Sequence, residues 1–154
     1  MATTMIEHLK SLHTSAIDAR NGYQEALKDT EDKQAESQAM TALFRDMIAL
    51  HDSHAGELAG ELPRRNERAD EEGSFMTVVH KTIMDVRSMF DGLDESVLLG
   101  LIDGEKRNVG KYDAALKVLE GPANVAGLFT RQRDDLAEKI ALMETERAAS
   151  ERVA

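Results

Sequence analysis

Apolar residues recur at alternating four- and three-residue spacings along nearly the whole chain, and no segment alternates with period two. A 3.6-residue period sets such positions on one face of an α-helix, so the chain is expected to be all-α with no sheet. Met5, Leu9, Leu12, Ala16, Ala19, Tyr23 and Ala26 form one such stripe and predict a first helix over about residues 3–29. Thr30, followed by Glu31 and Asp32, reads as a cap and acidic first turn for a second helix, about 31–62, which Pro63 ends. The charged run Arg64 to Gly73 reads as a loop, and Ser74 as the cap of a short helix over about 74–90 that Asp91-Gly92 breaks. Asp94 caps a long helix to Glu120, where Gly121-Pro122 supplies a stop and a restart. The last helix turns Val125, Phe129, Leu136, Ile140 and Met143 inward, and Glu144 to Ala154 is expected to fray.

Turns near residues 31 and 121 predict two antiparallel hairpins of long helices. Residues 63–93 form a long crossover between them, with the short fifth helix inside it. That is a four-helix bundle with ferritin-like connectivity. A chain of 154 residues fits one domain, 1–154, with a core over about 3–145 and a frayed tail over about 146–154. An internal repeat supports two related halves: Tyr23-Gln-Glu-Ala-Leu27 returns as Tyr112-Asp-Ala-Ala-Leu116, and Leu43-Phe44 returns as Leu128-Phe129. The expected core comprises Leu9, Leu12, Ala16, Leu43, Met47, Leu50, Leu98, Leu101, Leu119, Phe129, Leu136 and Ile140.

Polar residues interrupt two of these seams. The second helix reads Met40, Leu43, Met47, Leu50 and then His54 and Glu57; a later one reads Leu98, Leu101, then Glu105 and Asn108, then Tyr112, Ala115 and Leu119. Burying ionisable groups is costly unless they are paired or bind a metal. Helical bundles build metal sites from such inward positions, so His51, His54, Glu57 and Glu105 are the candidate metal ligands. Counting from the first turn sets His13 level with His51; counting from the second sets Glu105 level with Glu138 and near Asp135. A full-length return of the crossover brings Glu105 nearer Asp18, and a connection kept at one end brings it to His54 and Glu57. Plainer roles stand beside these. His54 and Glu57 could bond each other, Arg20 or Arg133 could satisfy Glu105 and Asn108, and His13 is expected to be partly exposed. Tyr23 and Tyr112 are expected to pack their rings and send a hydroxyl to a carboxylate. His80 and Asp85 suit capping in the crossover helix, and the eight Met residues fill gaps in the core.

Composition excludes several classes. The 29 acidic and 19 basic residues give a net charge of −10, a field that repels nucleic acid and anionic membranes. There is no Cys, hence no disulfide, thiolate site or cysteine nucleophile. The start MATTMIEHLK lacks a signal-peptide pattern and Val97 to Ile102 is too short to span a bilayer, so a cytoplasmic location is expected. No Gly-rich phosphate loop or aromatic-basic patch occurs.

The segments Asp18-Ala-Arg-Asn-Gly-Tyr23, His80-Lys-Thr-Ile-Met-Asp85, Asp103-Gly-Glu105 and Tyr112-Asp-Ala-Ala-Leu116 carry a resemblance. Over about residues 5–145 the chain resembles an uncharacterised, mainly proteobacterial four-helix-bundle family of unknown function in the ferritin-like superfamily. The resemblance implies the fold and a bacterial origin, and no activity or catalytic residue. Di-iron sites in ferritin-like bundles take a Glu from each of two helices and Glu-x-x-His from each of the others. Here His51-x-x-His54-x-x-Glu57 runs in another order, and the last helix offers Asp134, Asp135 and Glu138 with no histidine. Two readings follow. The favoured one is a non-enzymatic, stress-related or protein-interaction module, acting as a homo-oligomer such as a dimer through its helix faces, with no cofactor. The alternative is an iron- or manganese-binding protein with an incomplete, asymmetric site.

Overall fold

The computed structural model describes residues 2–32, 38–63, 94–119 and 123–153. Among them all regular structure is helical: α1 (Ala2–Asp32), α2 (Gln38–Glu61), α3 (Asp94–Val118) and α4 (Ala123–Val153), with no strand. The expected short helix over 74–90, with His80 and Asp85, and the rest of the crossover from 64 to 93 lie outside the described residues. Two compact units result. One comprises Leu9–Ser88 and holds most of α1 together with α2. The other comprises Met1–His8 and Met89–Ala154 and holds α3, α4 and the first turns of α1.

The helix limits differ from expectation at both ends of the chain. Thr30, Glu31 and Asp32 lie inside α1 and do not cap α2. No Gly or Pro interrupts the chain between Gly22 and Asp32, and a threonine costs a helix interior less than about 1 kcal/mol. The last helix, α4, runs past Glu144 to Val153. Buried Met143, a Lys106–Glu144 ion pair at 3.1 Å and the absence of Gly or Pro after Gly127 favour continuation. At the end of α2, Leu62 N–H donates to the Ala59 carbonyl at 3.2 Å, a tighter closing turn just before Pro63, which has no N–H to give.

In the first unit α1 and α2 run antiparallel, with Arg20 beside Asp52 and Tyr23 beside His51. The buried stripe of α1 is wider than predicted. Leu9, Leu12, Ala16, Tyr23 and Ala26 are buried as expected, and so are Ile17 and His13. His13 is 1 % exposed, which overturns the expectation of a partly exposed residue. On α2 the buried face is Phe44, Met47, His51, His54, Ala55, Leu58 and Leu62. Leu43, Leu50 and Glu57 are half-buried, so the helix is rotated from the predicted seam. The cause is Phe44, the largest apolar side chain of α2: enclosing it draws in His51 and Leu58, seven and fourteen residues on.

In the second unit α3 and α4 are antiparallel, tied by Tyr112–Gln132 and Arg133–Asp113. Leu98, Ile102, Glu105, Tyr112 and Ala115 of α3 and Val125, Phe129, Gln132, Leu136, Ile140 and Met143 of α4 are buried. Leu101 and Leu119, expected in the core, are half-buried: Ile102 takes the inner position beside Leu101, and Leu119 lies past the end of α3.

These faces predict unequal costs. Leu58→Ala should lower stability by about 2–5 kcal/mol, and Leu50→Ala by clearly less, in paired urea titrations. Glycines test the helices themselves. A Cβ at Gly56 or Gly110 would meet nothing within 4 Å. Alanine at either position should therefore stabilise by about 0.5–1 kcal/mol, read as a raised midpoint of thermal unfolding.

Candidate functional site

The first unit gathers its unusual residues around one tyrosine. Tyr23 stacks on His51, with centroids 5.9 Å apart and planes at 20°, and lies 6.0 Å from Phe44. His54 meets His51 edge-on at 6.3 Å. Both imidazoles are at most 2 % exposed. Their i, i+3 spacing sets them on one face of α2, and Glu57, one further turn along, is half-buried. Above the cluster, Arg20 Nη1 binds Asp52 Oδ1 at 2.9 Å across the hairpin. Its Nε and Nη2 donate to Asn21 Oδ1 at 3.4 and 3.3 Å.

This register corrects the expected level of His13. α1 stays helical through Asp32, and His51 sits beside Tyr23, ten residues past His13. By the same pairing, the level of His54 on α1 is close to Asp18.

The second unit holds a matching tyrosine. Tyr112 meets Phe129 edge-on at 6.2 Å, and Tyr23 meets Phe44 at a 51° tilt and 6.0 Å, so the two repeated sequence motifs bring a Tyr and a Phe together in each hairpin. The Tyr112 hydroxyl donates to Gln132 Oε1 at 2.6 Å, both residues being buried. The acceptor is therefore an amide and not the expected carboxylate. Asn108 Nδ2 donates to Glu105 Oε1 at 2.7 Å, and Glu105 is 2 % exposed. Arg20 bonds Asp52 and Asn21, and Arg133 bonds Asp113 and Asp134. The hydrogen bond that Arg133 donates to Asp113, reinforced by the one it donates to Asp134, holds its guanidinium above its ordinary pKa.

Of the four candidate ligands, His51 and His54 come together on α2, with Glu57 at the margin, whereas Glu105 bonds to Asn108 on α3. Among the described residues, no group of three or more His, Asp or Glu side chains is arranged to hold a metal ion. Two imidazoles are donors that suit iron, manganese or zinc but fall short of the three or four ligands such sites use. The buried polar residue that the sequence did not single out is Gln132. Gln132 lies three residues after Phe129, on the same helix face, which is the signal that could have found it.

A family described as Domain of unknown function (DUF2383) matches residues 4–118. The chain belongs to the DUF2383 family. No curated protein and no solved structure matches it. The DUF2383 segment spans α1 to α3 and stops before α4, the helix that supplies Gln132. Among the described residues, no helix is long and apolar enough to cross a membrane.

The Tyr112–Gln132 bond makes a measurable prediction. Tyr112→Phe leaves the buried Gln132 oxygen without this donor and should cost about 1–3 kcal/mol. In a double-mutant cycle with Gln132→Leu, the two changes should fall well short of additive by chemical denaturation.

Proposed function

We propose that this DUF2383 protein is a non-enzymatic, ferritin-like helical module of bacterial origin, stress-related or serving protein interaction, that works in the cytoplasm as a homodimer. The observation that carries the reading is how the buried polar groups are used. Tyr112 is bonded to Gln132 and Asn108 to Glu105, so these groups have a structural role. Such pairing relieves the cost of burial without calling for a substrate. The ferritin-like assignment draws on the repeated Tyr–Phe pair in two helical hairpins. Pairing of two chains draws support from Leu99, Val118 and Leu142. These large apolar residues stand 44–56 % exposed on α3 and α4 of a chain whose net charge is −10.

A second reading has its own observation. His51 and His54 share one buried face of α2, with Glu57 a turn further on, so iron or manganese held by His51, His54, Glu57 and Glu105 is the alternative. Light scattering and elemental analysis separate the two. The expected result is a dimer that leaves desalting without stoichiometric metal, and that becomes monomeric in Leu99→Asp or Leu142→Asp. A monomer at every concentration tested would remove the dimer. Stoichiometric iron or manganese, lost in both His54→Ala and Glu105→Gln while helicity persists, would establish the metal reading instead.

A further inference from the structure

Asn21 is followed by Gly22 in the middle of α1. An Asn-Gly pair is the dipeptide least hindered toward cyclisation, because glycine carries no Cβ to block approach of its backbone nitrogen. Two features of the structure oppose that reaction in the folded chain. The helix commits Gly22 N–H to the carbonyl four residues back and fixes the backbone at Asn21 in torsions that keep this nitrogen from the side-chain carbonyl carbon. In addition, Arg20 donates to Asn21 Oδ1 through Nε and Nη2 while its Nη1 is anchored on Asp52 of α2. The amide of Asn21 is thereby tied toward Arg20 and the neighbouring helix.

We infer that Asn21-Gly22 is a deamidation site gated by the fold, closed while α1 is helical and clamped by Arg20–Asp52, and open whenever this stretch unwinds. The chemistry needs only water. The Gly22 nitrogen loses its proton and bonds to Asn21 Cγ; the Cγ–Nδ2 bond breaks and Nδ2 leaves as ammonia, carrying that proton. Water then opens the five-membered imide at either carbonyl, leaving an aspartyl or isoaspartyl residue at position 21. Either product adds a negative charge one residue from Arg20 and across from Asp52, and the isoaspartyl form also lengthens the backbone by one carbon. Helix re-formation is then impaired, so the modification records how long α1 has been open.

The test is incubation of the full chain at mildly alkaline pH, with and without urea, followed by intact-mass measurement and peptide mapping. Asn108-Val109 and Asn124-Val125, where a branched residue follows, serve as internal controls. Conversion at Asn21 should be at least about tenfold slower in the native protein than in urea, the ratio reporting local opening. Asn21→Gln should remove the signal. Arg20→Ala, or Asp52→Asn should the first variant fold poorly, should speed native conversion while circular dichroism stays helical. Equal native and denatured rates, or no conversion at Asn21 in urea, would overturn the inference. Native rates unchanged in both variants would overturn the clamp and leave the helix as the sole gate.

Discussion

Phe44 and Phe129 have to be dry, and each hairpin meets that demand by facing its phenylalanine with a tyrosine from the preceding helix. The rest of each unit follows from the rotation this imposes. With Phe44 inside, residues at seven-residue intervals along α2 must follow, and one of them is a histidine. With Phe129 inside, the residue one turn further is Gln132, and the ring that packs on Phe129 carries the hydroxyl that satisfies its amide. An aromatic pair worth about 1 kcal/mol beyond its buried area thus decides which polar groups leave water.

The elements were legible in the sequence because each runs for many turns with one apolar period, and periodicity averaged over such lengths survives individual exceptions. The Tyr–Phe correspondence was also legible, since both motifs recur with the same residue types. The rotation of α2 was not. Leu43 and Leu50 form as regular a stripe as Phe44 and His51, and hydrophobicity alone prefers leucine to histidine at the inner position. What decides between them is the volume of Phe44 and the presence of a partner ring on α1, and neither is a property of α2 taken alone. The level of His13 was not legible, since Thr30 favours a helix start and costs a helix interior less than about 1 kcal/mol, too little to stop α1 before Asp32.

Exposed charge has a different part. Arg20 and Arg133 each join neighbouring helices to an acidic residue and also hold a residue next in sequence. In a chain with ten more acidic than basic residues, each such arginine is surrounded by acceptors, and its choice fixes orientation more than it adds stability. Glu105 for its part accepts from an amide on its own helix, Asn108.

The DUF2383 match closes at residue 118, whereas the unit that contains α3 also includes α4. A polypeptide cut at that boundary would retain Ile102, Glu105, Tyr112 and Ala115 while losing the helix whose Phe129 and Gln132 pack on and bond Tyr112. Its third helix would present a wet tyrosine and an apolar stripe, an adhesive surface in search of any amphipathic partner.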